Sequence, residues 1–108
     1  LDNLCIIVDY NHYCTLGDVD EIMNLKPLEE KWKSFGWETI FENDGNNIEN
    51  MINNFKKLKT VTGKPKCIIA STLKNKGVPM WEKEHIHHVA GDKLFEGLEE
   101  GRKILKNE

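Results

Sequence analysis

The stretch "LCIIVDYNHYCTLG", Leu4 to Gly17, changes character half way along. Leu4 to Val8 is a continuous apolar run rich in branched residues, which predicts a central strand covered on both faces. The strand then ends in a carboxylate, an amide and three further polar or aromatic side chains, Asp9 to Tyr13, closed by Gly17. A connection needs only one or two turn residues. This segment carries more polar chemistry than a connection requires.

Outward from it, Gly17 to Lys26 reads as a polar loop of acidic character, with Asp18, Asp20 and Glu21. Leu25, Leu28, Trp32 and Phe35 then fall on one stripe of an amphipathic helix. Pro27 suits its first turn and Gly36 its exit. "WETIFE", Trp37 to Glu42, reads as a second strand, and "NDGNN", Asn43 to Asn47, as a turn and helix cap. Ile48, Met51, Ile52, Phe55 and Leu58 predict a second helix. "KCIIAS", Lys66 to Ser71, is a third strand with an all-apolar centre, and Leu94, Leu98, Gly101, Ile104 and Leu105 mark a final helix. The order β-α-β-α-β predicts an α/β fold, a parallel sheet with flanking helices and right-handed crossovers.

At 108 residues the chain is at most one domain. A hydrophobic content of 39% and a charged content of 31% describe an ordinary globular protein. A net charge of −3 and a pI near 5.8 give no reason to expect nucleic acid or an anionic membrane as partner. No apolar run approaches the roughly 20 residues of a membrane helix. Cys5, Cys14 and Cys67 are odd in number, and Cys5 and Cys67 stand in apolar runs. They predict buried free thiols in a reducing, cytoplasmic setting. The sequence opens at Leu1, almost directly inside a strand, so we expect a fragment whose earlier part supplies neighbouring strands.

Ligands of open parallel sheets bind outside the carboxyl ends of the strands. Two unusual segments leave there: the one quoted above, and "STLKNKGVPMWEKEHIHH" after the third strand. Together they offer the Asn11 amide oxygen, backbone carbonyls after it, Lys74 and Lys76 around Asn75, Gly77, and His85, His87 and His88. Amide and carbonyl oxygens suit a hard cation such as Mg²⁺ or Ca²⁺, and lysine beside glycine suits phosphate. A metal-bridged diphosphate would fit both halves. Each piece also has a plainer reading. Asn11 alone is a turn residue, the lysines alone are solvated, and Asp9 alone is a buried partner holding the loop. "HIHH" invites a zinc site, but adjacent side chains rarely converge on one ion.

"LDNLCIIVDYN", "LKPLEEKWKSFGWETIFENDGNNI" and "GKPKCIIASTLKNKGVPMWE" together resemble the N-terminal portion of transketolase, and above all the small N-terminal subunit of two-chain transketolases. The likeness runs in register over nearly the whole chain. It implies that residues 1–108 are the C-terminal portion of a single thiamine-diphosphate-binding domain of Rossmann-like α/β fold, here incomplete. The cofactors implied are thiamine diphosphate and Mg²⁺ or Ca²⁺. The reaction implied is two-carbon ketol transfer between sugar phosphates, in the pentose phosphate pathway. A C-terminal transketolase subunit or domain is the implied partner, in a homodimer or heterotetramer, and the fragment alone is expected to be inactive.

Residue by residue, the resemblance assigns metal ligation to the Asn11 side chain and the Tyr13 main-chain carbonyl. It sets Lys74 near the cofactor's diphosphate. It makes His88 the imidazole near diphosphate and substrate, a cofactor-binding and catalytic residue, with His87 as the competing candidate. The family's Trp-His-Gly triplet is "HHV" here, its D-G-H-D is Asp44-Gly45-Asn46-Asn47, and the glycine of K-G-K-G is Asn75. The rival readings are another thiamine-diphosphate enzyme, such as a deoxyxylulose-phosphate synthase, and a non-catalytic α/β binding module.

Overall fold

A computed structural model of the chain describes residues 1–82 and 91–107. Three strands, β1 (Cys5–Tyr10), β4 (Glu38–Glu42) and β5 (Lys66–Ser71), form a parallel sheet in the order β1-β5-β4. Two short strands, β2 (Tyr13–Cys14) and β3 (Gly17–Asp18), pair antiparallel just after β1. The helices are α1 (Val19–Ile22), α2 (Leu28–Ser34), α3 (Ile48–Lys59), α4 (Pro79–Glu82) and α5 (Asp92–Lys106).

The sheet's centre is the "KCIIAS" strand. Register sets Ile68 between Ile7 of β1 and Ile40 of β4, and Cys67, Ile68 and Ile69 are each 0% exposed. Both faces of β5 are covered, which is why every central position is apolar. On one face Tyr10, Cys67 and Ile69 form a core with Ile6, Val8, Leu28, Trp32, Trp37 and Phe41. The Trp32 and Trp37 rings meet edge-on at 5.1 Å. On the other face α3 lies over β4 and buries Leu58. A glutamate fixes that docking: Glu42 accepts from Asn54 Nδ2 at 2.7 Å and from Asn50 Nδ2 at 3.2 Å.

Several expectations need correction. The "LCIIV" run is an outer strand among the described residues, not a central one: β1 pairs only with β5, and Ile7 is 52% exposed. Alternate residues Ile6, Val8 and Tyr10 face the core, while Cys5, Ile7 and Asp9 lie on the α3 face, where that helix covers β4 and leaves β1 open. Cys5 is therefore exposed and Cys14 half-buried; only Cys67 is buried, and burial pushes its thiol up to about 11. The Gly17–Lys26 segment is more ordered than a loop. It holds β3 and α1, the latter capped by Asp18 Oδ1 accepting from the Asp20 N–H at 2.7 Å. Phe35 lies beyond α2 and is exposed, because the helix stops at Ser34 and Gly36 takes a positive φ.

The expected start of α2 also shifts: Leu25 lies before the helix, which begins at Leu28, so Pro27 stands ahead of the first turn and not in it. Helices α3 and α5 follow the pattern read from the sequence, and Asn47 caps α3 with its side chain accepting from the Asn50 N–H at 3.1 Å. In α5, Gly97 is buried against the Trp81 ring, and Trp81 Nε1 donates to the Lys93 carbonyl at 3.0 Å. Among the described residues no helix is long and apolar enough to cross a membrane.

Candidate functional site

Because β1, β5 and β4 run parallel, their carboxyl ends lie on one rim, and three turns leave it together. Side chains and backbone tie those turns to one another. Thr72 N–H donates to the Tyr10 carbonyl at 3.1 Å, and Thr72 Oγ1 donates to the Asp9 carboxylate. Leu73 N–H donates to Asn46 Oδ1 at 2.6 Å, and Gly45 N–H to the Ser71 carbonyl at 2.7 Å. Asp9 thus holds the loop as expected, although it is exposed rather than buried.

The turn after β1 has its own internal frame. Asn11 Oδ1 accepts from the Tyr13 N–H at 3.1 Å, closing an Asx turn. His12, between them, adopts φ 68°, a left-handed conformation that His tolerates better than most residues. Its carbonyl accepts from the Val19 N–H at 2.8 Å, its Nε2 shares a hydrogen bond with Ser71 Oγ at 2.9 Å, and its ring meets Tyr10 at 4.4 Å. The Tyr10 hydroxyl in turn donates to Asp20 Oδ1 at 3.3 Å, and burial pushes its pKa up. Lys26 pairs with Asp20 and, more than any other group, holds that carboxyl below its ordinary range.

The turn after β5 is built around two left-handed residues, Asn75 at φ 60° and Gly77 at φ 102°. Asn75, which stands where the resembled pattern has glycine, thus takes a conformation that glycine prefers and Asn tolerates better than most residues, and its Nδ2 donates to the Trp81 carbonyl at 3.2 Å. Gly77 N–H donates to Glu82 Oε1 at 2.8 Å. Lys74 is half-buried and has no salt-bridge partner among the described residues; Lys76 is exposed.

Asn11, Tyr13 and Lys74 thus leave the same edge of the sheet, on the two turns that the His12–Ser71 and Thr72–Asp9 bonds join. His88, His87 and His85 lie outside the described residues. Among those described, no group of three His, Cys, Asp or Glu side chains could hold a metal ion. The donor set here is one of oxygens. The Asn11 amide oxygen uses one of its two lone pairs on the Tyr13 N–H, and the second is available to a hard cation. His12 is what the sequence reading missed. The available signal was a residue type enriched at positive φ, standing between a turn-forming Asn and a Tyr.

An open parallel α/β sheet whose polar turns gather at the carboxyl ends of its strands is the architecture in which ligands bind at that rim. The chain belongs to the transketolase family: residues 1–104 match that family's thiamine diphosphate binding domain. Curated relatives include an apulose-4-phosphate transketolase subunit of Phocaeicola vulgatus, 35% identical over 82 residues, covering 76% of this chain and 29% of that protein. The 6-deoxy-6-sulfo-D-fructose transketolase subunit SqwG of a Clostridium species is 36% identical over 88 residues, covering 82% and 32%. The chain spans about a third of the length of these relatives. In fold it is similar to the Pichia stipitis transketolase solved with sedoheptulose-7-phosphate, with a TM-score of 0.66 at 18% identity over 98% of this chain and 19% of that one.

Proposed function

We propose that this chain is the later portion of the thiamine diphosphate domain of a transketolase, and that it provides the metal and diphosphate side of the cofactor site. The observation that carries the reading is the Asn11–Tyr13 turn at the carboxyl end of β1, bonded through His12 to the end of β5. The Asn11 side-chain oxygen and the Tyr13 carbonyl would hold a divalent cation, Mg²⁺ or Ca²⁺, beside the cofactor's diphosphate. Lys74 faces the same diphosphate as a point charge. His88 is the imidazole that contacts cofactor and substrate. When bound, the cofactor supplies the chemistry of two-carbon ketol transfer between sugar phosphates, while the protein positions and charges it.

Because the chain covers a minority of its relatives' length, the rest of the cofactor domain and a C-terminal transketolase subunit or domain complete the enzyme. The assembly is a homodimer or heterotetramer working in the cytoplasm.

The test is a titration of thiamine diphosphate into the complete enzyme with and without Mg²⁺. Binding is expected only with the metal, and Asn11→Ala is expected to weaken it by about tenfold or more, on the order of 1.4 kcal/mol. Equal affinities for wild type and variant would remove Asn11 from the site.

A further inference from the structure

We infer that His12 is a positioning residue, whose ring, clamped to Ser71 and Tyr10, holds the turn that aims the Asn11 oxygen and the Tyr13 carbonyl at one cation. The inference rests on the metal site proposed above and adds a residue that ligates nothing itself.

Three observations meet at His12. Its backbone is left-handed at φ 68°, so the chain reverses between Asn11 and Tyr13 instead of continuing as a strand. A non-glycine residue in that region persists only when its surroundings determine it. Two constraints do so here. The carbonyl is held by the Val19 N–H at 2.8 Å, and the ring is held by Ser71 Oγ at 2.9 Å and the Tyr10 ring at 4.4 Å. Ser71 is not free to follow the turn, because it ends the central strand, pairs with Tyr10 and gives its carbonyl to Gly45 N–H. The ring therefore transmits the position of the sheet's rigid centre to a turn whose other bonds, Asn11–Tyr13 and His12–Val19, stay within the segment that follows β1. Cations with strict coordination geometry reward ligands fixed in this way, and losing an orienting partner typically costs about 10- to 100-fold in metal affinity.

The experiment separates the ring from the backbone. In the complete enzyme, His12→Gly keeps the left-handed conformation accessible while deleting the ring. Ser71→Ala deletes the ring's anchor, and Ser71→Thr retains a hydroxyl. Mg²⁺ is titrated at fixed thiamine diphosphate by following cofactor binding directly, with the melting temperature of the metal-free, cofactor-free protein as folding control. Half-saturating Mg²⁺ is expected to rise about tenfold in His12→Gly and in Ser71→Ala. It should rise no further in the double variant and stay near wild type in Ser71→Thr. Turnover at saturating Mg²⁺ and cofactor is expected to stay within about threefold of wild type, because the ring's contacts with Ser71 and Tyr10 act through the turn. Unchanged half-saturation in both single variants, with metal-dependent binding intact in wild type, overturns the role of His12 alone. Wild type that binds cofactor equally well without metal overturns the metal site, and His12's role with it.

Discussion

Gly45 and Ala70 stand closer than any side chain on Gly45 would permit: a Cβ there would lie 2.7 Å from the Ala70 Cβ and 2.9 Å from Thr72 Cγ2. Gly45 uses that proximity to donate its N–H to Ser71, so the turn after β4 lies flat against the end of β5. Gly45→Ala must therefore push the two turns apart. The expected cost is about 1–3 kcal/mol, typical of overpacking against backbone that cannot yield. A melting temperature within about 1 °C of wild type, well below the roughly 2–4 °C that about 1 kcal/mol produces even in a larger domain, would show that the turn relaxes freely.

Glu42 sets an acid-side limit on the same region. The Asp44 N–H, first, and then Asn54 and Asn50 hold its carboxyl below the ordinary glutamate range. A depressed folded-state pKa means a contribution fully present above the unfolded value and lost as pH falls through the folded one. The docking of α3 on β4 should therefore loosen at acid pH, from the ordinary glutamate value downward, and not at neutral pH. Glu42→Gln should lower stability at pH 7 and flatten the acid limb of a stability-against-pH curve. An acid limb identical to wild type would contradict the assignment.

His88 and His87 divide on the family register. If His88 acts on the transition state, His88→Ala in the complete enzyme should lower kcat/KM by roughly 10²-fold or more, the low end for a positioned catalytic side chain. His87→Ala should cost less than about fivefold. Steady-state kinetics on both variants checks this, and a larger loss at His87 would move the register by one residue.

Much of this fold was legible because its elements announce themselves locally. The apolar centre of "KCIIAS" describes the burial that those residues receive, whereas the stripe from Ile48 to Leu58 gives the helix but buries only Leu58, leaving Ile48, Ile52 and Phe55 exposed. Which apolar run lies in the middle was not legible. "LCIIV" and "KCIIA" carry nearly the same local signal, and their ranking depends on which strand gains two neighbours, a fact written far away in the chain. The two-residue strands β2 and β3 are too short to show a period at all. The site divides likewise. The turn at Asn11 follows from residue type, and the left-handed Asn75 from the glycine that stands there in the resembled pattern. The bonds that organise the rim join His12 to a residue 59 positions away and Asn46 to one 27 positions away, and no local pattern encodes such pairs.

The one-sided pairing of β1 has a practical consequence for anyone handling the chain by itself. Its outward side, among the described residues, presents a row of backbone amides and carbonyls outside any strand pairing, beside Leu4, Cys5 and Ile7, all exposed. No proline or lysine interrupts the strand, the usual means by which such a row is made unattractive to other chains. Two copies meeting there can extend each other's ladder, and an exposed thiol at Cys5 lies at the same place. Clouding that rises with concentration and recedes in an Ile7→Lys variant is the behaviour this geometry dictates for the isolated polypeptide.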